Sequence, residues 1–248
     1  MQSLLIGAIS GSLFNNIDKE DVQTMNGFLF YATLFCALAN MSMLPIVVQQ
    51  RNIYYKHKES AFYSSVMYVL AQTFVYYPLM IAEVVIFSCI TYYSVGLSTD
   101  EGRFGAFLAI IFMFSMTASQ LYRFVGSFMP TVTTAQPVSG VLTVLMVLFS
   151  GYIIPRGSIP EGWKWFYWLN PLSWAINSVS INEFTSPKYD FQVCADQTCS
   201  STQSFSKFAL DFRDYQSDER WIWYGFAVLV AEYLVLLLAT GLVLEFVR

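Results

Sequence analysis

The sequence predicts an all-α protein built as a polytopic bundle of transmembrane helices. Of its 248 residues, 56% are hydrophobic and only 12% are charged, about half of the roughly 25% charged residues of a typical soluble domain. The charges lie between long uncharged apolar stretches, a pattern typical of segments that cross hydrocarbon. The net charge of −4 provides no basic surface, so we expect no nucleic-acid partner.

Five apolar stretches are about long enough to cross a hydrocarbon core of roughly 30 Å, because a helix rises about 1.5 Å per residue. We predict spans at residues 27–48, 73–95, 104–129, 138–154 and 221–247 of a single domain that covers residues 1–248. Residues 61–72 are predicted to form a cytoplasmic helical start that leads into a span kinked near Pro78. The last span opens with Trp221, Trp223 and Tyr224, which favour a membrane interface.

The beginning of the chain has a shorter apolar stretch. Residues 4–14 offer only about 11 apolar positions, too few for a crossing. We interpret residues 1–16 as the second half of a truncated span. The alternatives are an interfacial or loosely packed segment and a cleaved signal peptide, although the positive start and the small-residue cleavage site of a signal peptide are missing.

Basic residues in the short links predict the orientation, since such loops follow the positive-inside rule. The link at residues 49–60 carries Arg51, Lys56 and Lys58, whereas the neighbouring links are poor in Lys and Arg. We therefore place this link in the cytoplasm. Counting spans from it gives the other sides: inside for residues 130–137 and the C-terminus, and outside for residues 155–220.

The outer segment contains a broken apolar stretch. Residues 163–184 are rich in Trp, Tyr and Leu, but Pro171 removes a helical donor and pushes Asn170 away from helical geometry. Such a break is typical of a re-entrant hairpin, which is tolerated only when it is buried in protein or lines a wet cavity. We predict an extracellular hairpin that caps a cavity. The alternative is an amphipathic helix lying on the outer leaflet.

Two cysteines, Cys194 and Cys199, lie close together in the same outer segment. An oxidising location favours a short-loop disulfide between them, and a metal site would need further ligands. Cys36 and Cys89 fall inside predicted spans and are interpreted as small buried apolar groups.

Side chains suited to catalysis are scarce. His57 is the only histidine, which excludes a His-rich zinc site and disfavours a catalytic triad. The phosphate-binding pattern G-x-x-x-x-G-K-[ST] does not occur, so the chain cannot bind ATP in the usual way. Glu83, Arg123 and Glu232 lie in predicted spans, where ionisable groups are costly. Each is a candidate functional residue, with structural packing as the alternative.

Two blocks of the sequence resemble a known family of transporters. Residues 50–83 read QRNIYYKHKESAFYSSVMYVLAQTFVYYPLMIAE, and residues 149–184 read FSGYIIPRGSIPEGWKWFYWLNPLSWAINSVSINEF. Both blocks are similar to the membrane domain of the pleiotropic drug resistance type of ABC transporter, the G subfamily. The residues of the first block that match the family pattern are Arg51, Tyr54, Tyr55, Lys56, Tyr63, Ser64, Ala71, Gln72 and Pro78.

This resemblance implies a six-span membrane domain of the ABC-2 type, with Met1 inside the first span. It also implies an ATP-binding domain, normally fused on the N-terminal side, which would hold ATP and Mg²⁺. A second transmembrane half is implied as another partner. The chain itself is expected to hold no cofactor or metal and to be no enzyme, although the parent protein would hydrolyse ATP. Two features depart from the family: the ATP-binding domain is absent, and Glu83 follows Pro78 instead of preceding it.

The resemblance also implies roles for particular residues. Coupling to the ATPase domain would involve Arg51, Tyr55, Lys56 and Glu59. A central apolar cavity between two half-units would be lined by Phe35, Leu38, Gly140, Val144 and Val147. Tyr152 and Ile153 would form the outer gate that closes this cavity.

We therefore predict the transmembrane pathway of an ATP-driven exporter of hydrophobic small molecules or lipids, embedded in the lipid of the plasma membrane. An apolar wall suits such cargo, because apolar contacts give affinity with little directional demand. The alternatives are an ATP-independent multi-pass channel or membrane scaffold, and a membrane-embedded enzyme, which the lack of converging His, Asp or Glu disfavours.

Overall fold

The computed structural model describes residues 2–14, 17–18, 21–60, 64–98, 101–194 and 202–246. The helices among these residues are α1 Gln2–Leu13, α2 Val22–Asn40, α3 Met43–Glu59, α4 Ser65–Val95, α5 Glu101–Phe128, α6 Val132–Leu148, α7 Lys164–Trp168, α8 Pro171–Phe184, α9 Phe205–Asp211 and α10 Arg220–Phe246. Short 3-10 turns occupy Arg156–Ser158, Glu161–Trp163 and Pro187–Tyr189. Strands β1 Gln192–Cys194 and β2 Thr202–Ser204 form a small antiparallel pair.

Four helical stretches of the described chain are long and apolar enough to cross a membrane. They are Val22–Glu59, which contains α2 and α3, then Ser65–Val95, Gly102–Phe128 and Arg220–Phe246. The helices α1 and α6 are apolar but shorter. The predicted all-α class is confirmed in its general form, as a mostly helical chain with several apolar helices. The count of six spans stays a prediction.

Helix α5 lies at the centre of the bundle. It packs against α2, α3, α4, α6, α8 and α10. Two of its polar side chains bond to α10: Thr117 Oγ1 donates to Leu229 O at 3.1 Å, and Gln120 Nε2 donates to Thr240 Oγ1 at 3.0 Å. Polar groups on membrane helices are costly in lipid and usually face protein. The polar residues of α5 that are buried in this way are Ser115, Thr117, Ser119, Gln120, Arg123 and Ser127.

Helix α1 packs on α4 through a stripe of small residues. The Ser3 hydroxyl donates to Glu83 Oε1 at 3.0 Å, and a Cβ added at Gly11 would lie 2.7 Å from Ser94 Cβ. These two contacts show that α1 and α4 run in the same direction, and glycine permits the close approach. The packing argues against a loosely packed segment at the beginning of the chain. The buried residues of α1 are Ser3, Gly7, Ser10 and Gly11.

The ends of α2 differ from the predicted span at residues 27–48. The helix begins earlier, at Val22, because the Asp21 carboxylate caps it by accepting from Thr24 N at 3.0 Å. The hydrogen bond from the Thr24 hydroxyl also lowers the pKa of Asp21. The helix ends earlier, at Asn40, because Pro45 has no N–H to donate to the Met41 carbonyl. The predicted span therefore falls on α2 and on the first part of α3.

Helix α6 is shifted towards the N-terminus relative to the predicted span at residues 138–154. It begins at Val132, where the Thr131 side chain caps it, and it contains Pro137. It ends at Leu148, and Gly151 follows with a left-handed φ of 86°. Because a side chain rarely adopts that φ, this glycine marks a turn that a helix cannot continue through.

Helix α8 is buried on every side. All of its residues are buried, and it packs against α2, α5, α6, α7, α9 and α10. The predicted break lies between α7 and α8, where Asn170 Oδ1 accepts from Leu172 N at 3.1 Å and Asn170 Nδ2 donates to Met146 O at 2.8 Å. A helix that lies on a leaflet would expose one face. The alternative of a surface helix is therefore wrong for α8.

Contacts between connecting segments define two opposite ends of the bundle. At one end, here called the link end, Lys58 Nζ at the end of α3 donates to Glu245 O of α10 at 2.6 Å. At the other, here called the loop end, Arg103 Nη2 at the start of α5 donates to Thr185 O after α8 at 2.8 Å. Segments predicted to share a side of the membrane thus lie together. Which end faces the cytoplasm stays a prediction.

The predicted disulfide cannot be placed on this fold. The backbone of Cys194 pairs with that of Thr202 in the small sheet, but the side chain of Cys194 and all of Cys199 lie outside the described residues. The pairing of these two cysteines stays a prediction. Cys36 is buried, as interpreted from the sequence, and Cys89 is half-buried.

Candidate functional site

The predicted coupling residues lie on the second half of α3, at the link end. Lys56 and Glu59 are exposed, and Tyr55 is half-buried. Positions three apart lie on the same helix face, so Lys56 and Glu59 present one patch with both signs of charge. This patch is placed where a partner at the link end can reach it.

Arg51, the fourth predicted coupling residue, is held by the neighbouring helices. Its Nη1 and Nη2 donate to Ser127 O at 3.1 Å and to Pro130 O at 3.3 Å. Its guanidinium also lies 5.9 Å from the Tyr55 ring. Arg51 therefore ties α3 to the connection between α5 and α6, and a displacement of α3 would act directly on that connection.

Three predicted cavity residues lie on an exposed apolar stripe that runs along α2 and α6. Leu38 of α2 is 48% exposed, and Val144 of α6 is 58% exposed. A Cβ added at Gly140 would meet nothing within 4 Å. Val141, 62% exposed, continues the same surface. Because α2 and α6 are in contact, these residues form one surface, open to lipid or to a second transmembrane half.

The other two predicted cavity residues pack inward. The Phe35 ring lies 4.6 Å from the Phe87 ring of α4, and only 7% of Phe35 is exposed. Val147 is half-buried and packs against the core. In this single chain Phe35 therefore supports the wall from inside, and Val147 contributes only part of its side chain to the surface.

The predicted gate residue Tyr152 is sandwiched at the loop end. On one side its ring stacks on Phe30 of α2, with ring centroids 4.2 Å apart. On the other side the Arg213 guanidinium lies 4.5 Å from the ring centroid, and Arg213 Nη1 donates to Tyr152 O at 2.9 Å. The second gate residue, Ile153, is 48% exposed. The segment that follows α9 thus holds Tyr152 against α2.

The turn before Tyr152 rests on two buried tyrosines. A Cβ added at Gly151 would lie 3.1 Å from the Tyr167 ring, and Tyr215 lies just beyond. Burial raises the pKa of Tyr167 to about 12, and burial also raises the pKa of Tyr215. Both phenols are therefore uncharged near neutral pH, and the turn packs against the faces of uncharged aromatic rings.

A buried carboxylate at the loop end was missed by the sequence analysis. Glu183, 2% exposed, accepts from Ser98 N at 3.1 Å and from the Tyr189 hydroxyl at 3.1 Å. Burial raises its pKa. It joins the α4–α5 connection to the end of α8. The sequence signal was the Asn-Glu-Phe ending of the second block, but its partners are far away in the chain.

The ionisable residues of the predicted spans have different surroundings. Glu83 accepts from Ser3 of α1, as described above. The Arg123 guanidinium lies 4.7 Å from the Tyr76 ring, and its Nη1 is buried without a hydrogen-bond partner in the described chain. Glu232 lines an apolar cavity. The first two are packed against neighbouring helices, which favours the structural interpretation for them.

Comparison with known proteins identifies the family. The family described as ABC-2 type transporter matches residues 1–184. The chain is 30% identical over 231 residues to ABC transporter G family member 35 of Arabidopsis thaliana, which covers 91% of this chain and 16% of that protein. It is 29% identical over 185 residues to ABC transporter G family member 2 of Dictyostelium discoideum, covering 74% and 14%. It is 26% identical over 235 residues to pleiotropic drug resistance protein 1 of Petunia axillaris, covering 93% and 16%.

These relatives are much longer than the chain. It spans 14% to 16% of the length of these three proteins. The matches nevertheless cover most of the chain. The match to the family includes helices α1 to α8. The resemblance stated from the sequence is therefore confirmed, and the apolar helices are those of an integral membrane protein.

Proposed function

Because the chain belongs to the ABC-2 type transporter family, as a membrane domain with homologues among ABC G-family transporters, we propose that it forms the transmembrane pathway of an ATP-driven exporter of hydrophobic small molecules or lipids. The proposed partners are an ATP-binding domain at the link end and a second transmembrane half against α2 and α6. The proposed location is the plasma membrane, with the link end in the cytoplasm.

The observation that carries this proposal is the exposed apolar stripe on α2 and α6. It ends, at the loop end, at a tyrosine held by the outer segment. Leu38, Gly140 and Val144 would face the matching residues of a second half, and the space between the halves would hold apolar cargo. Tyr152 would lie between that space and the outside.

The proposed mechanism is alternating access. The ATP-binding domain would press on Lys56 and Glu59, and Arg51 would pass the displacement to the connection between α5 and α6. A shift of α6 would alter the contact of Tyr152 with Phe30. Closure at the link end would thereby increase the population of a state that is open at the loop end.

Replacing Lys56 and Glu59 together with alanine tests this mechanism. In the full-length transporter we expect substrate-stimulated ATPase activity to fall about fivefold or more, the low end of typical coupling energies, because both side chains of the exposed patch are lost. Insertion into the membrane should be unchanged, since neither residue is buried. The measurement is ATPase activity with and without substrate in lipid vesicles.

The matched control is the double replacement of Glu161 and Lys164 with alanine. These residues form an ion pair with the same spacing of three positions, but they lie beyond α6, in the segment predicted outside. We expect their loss to leave stimulation unchanged. Full stimulation in the variant of Lys56 and Glu59 would contradict the coupling role, and an equal loss in both variants would show a general effect of charge.

Replacing Arg213 with glutamine tests the gate. This change removes the cation–π contact with the Tyr152 ring and the hydrogen bond to Tyr152 O. Each contact contributes about 1 kcal/mol or more to the stability of the closed gate, so the closed gate should become less stable. We expect a cysteine introduced at Ser150, which is 0% exposed and lies beside Tyr152, to react about tenfold faster with an impermeant maleimide added at the loop end.

The control for this gate experiment is Arg156→Gln. Arg156 makes the same kind of contact, 5.0 Å from the Trp168 ring, but it does not touch Tyr152. Its loss should leave the labelling rate at position 150 unchanged. If Arg213→Gln also leaves the rate unchanged, Arg213 does not hold the gate closed.

A further inference from the structure

A second cavity lies between α6 and α10, beneath the break between α7 and α8. Its volume is about 370 Å³, within the range of small-molecule sites. Leu142 and Met146 of α6 form one wall, and Val235 of α10 forms part of the other. Because each helical residue turns about 100°, Leu142 lies about 200° around α6 from Val144. This cavity therefore faces away from the exposed stripe.

Glu232 is the only ionisable residue among the described residues that line this cavity. Its Oε2 is buried and has no hydrogen-bond partner in the described chain. The amide of Asn170 is already bonded to Met146 O and Leu172 N. An unpaired carboxylate in an apolar wall is costly, and a ligand with positive charge would offset that cost.

We propose that this cavity binds a hydrophobic cation, an amphiphile that carries a protonated or quaternary amine on an apolar body. The amine would lie beside the Glu232 carboxylate and the body against the apolar walls. Leu169 and Val235, 62% and 64% exposed, form an apolar rim. Glu232 lies about 18 Å along α10 from Arg220, at about 1.5 Å per residue, so the ligand enters through this rim from the apolar phase.

This site goes beyond the proposed transport function, because binding requires neither ATP nor cargo movement. The charge complementarity predicts a specific selectivity. A neutral molecule of the same length would make the same apolar contacts but would leave the carboxylate unpaired. The carboxylate therefore sets a preference for cations over neutral analogues.

The test uses the full-length transporter in lipid nanodiscs without ATP. Two photoreactive probes with the same twelve-carbon chain are compared, one ending in trimethylammonium and the other in a hydroxyl group. Labelling of the α10 peptide around Glu232 is measured by mass spectrometry against probe concentration. We expect the cationic probe to saturate at a concentration about tenfold or more below that of the alcohol, the ratio expected for a charge-assisted contact.

In Glu232→Gln this preference should disappear. The apparent affinity for the cationic probe should fall about tenfold, and that for the alcohol should change little. The matched control is Glu83→Gln, another carboxylate of the predicted spans, which should keep the preference. If Glu232→Gln does not fold, the comparison of the two probes on the wild-type protein still decides.

Equal saturation of both probes in the wild-type protein would overturn the proposal, as would an equal loss of both in Glu232→Gln. Absence of labelling by either probe would also overturn it, since the cavity would then be filled by the assembled protein.

Competition by sphinganine placed in the nanodisc would assign the cation to the membrane. Competition only by amines added from solution would assign it to solution, and either result supports a cation site. Failure of transport assays would leave this measurement unaffected.

Discussion

Replacing Gly225 with alanine is expected to destabilise the domain by about 1–3 kcal/mol, the usual cost of overpacking. A Cβ at this position of α10 would lie 2.0 Å from Ser178 Oγ and 3.4 Å from Trp174 O of α8. Because α8 is buried on every side, it has little room to move away. The expected result is a lower melting temperature of the full-length transporter in detergent.

A second replacement shows whether this contact is the cause. The Ser178 hydroxyl is buried and has no hydrogen-bond partner in the described chain, so Ser178→Ala alone should cost little. Combined with Gly225→Ala, it should restore most of the lost stability by removing the atom that clashes. Gly105→Ala is the control, since a Cβ there meets nothing within 4 Å. A melting temperature of Gly225→Ala equal to that of the wild type would contradict the prediction and would mean that the Ser178 hydroxyl can turn away from the added methyl group.

Replacing Glu183 with alanine is expected to have a comparable or larger effect, about 3 kcal/mol or more, because several buried donors lose their acceptor at once. The Ser98 amide and the Tyr189 hydroxyl would be left unpaired. The segment that follows α8 should then detach, and limited proteolysis should cut it faster as the melting temperature falls. Glu183→Gln keeps one acceptor oxygen and should lie between alanine and the wild type.

The control for Glu183 is Glu219→Ala. Glu219 is an exposed carboxylate at the same end of the bundle, 3.4 Å from Arg103. Exposed ion pairs contribute at most about 1 kcal/mol, so this change should hardly alter the melting temperature. Equal effects of the two replacements would mean that burial does not set the importance of Glu183.

The apolar helices were predictable because their signal is local. Length and lack of charge locate both ends of α5 and α10, and the end of α4, within a few residues. Trp223 and Tyr224, at the start of α10, are 70% and 56% exposed, and their place at a membrane interface stays a prediction. Proline chemistry located the break before Pro171.

Other features depended on contacts that no local pattern contains. The shifted ends of α2 and α6 are an exception, because they come from local groups: the caps at Asp21 and Thr131, Pro45, and the turn at Gly151. Arg213 meets Tyr152 from a position 61 residues later in the chain, and Glu183 meets Ser98 across 85 residues. Such partners follow only from the packing of helices in space. For the same reason the family resemblance could imply a wall position for Phe35 but could not show that its ring packs against Phe87.

The bond between Lys58 and the last turn of α10 has a mechanical consequence. Helix α10 is about 40 Å long, at about 1.5 Å for each of its 27 residues, and it runs without interruption between the two ends. Near its other end, α10 packs closely against α8 at Gly225. A small tilt imposed on α3 could therefore reach the opposite end of the bundle through α10 as well as through the contact of Arg51.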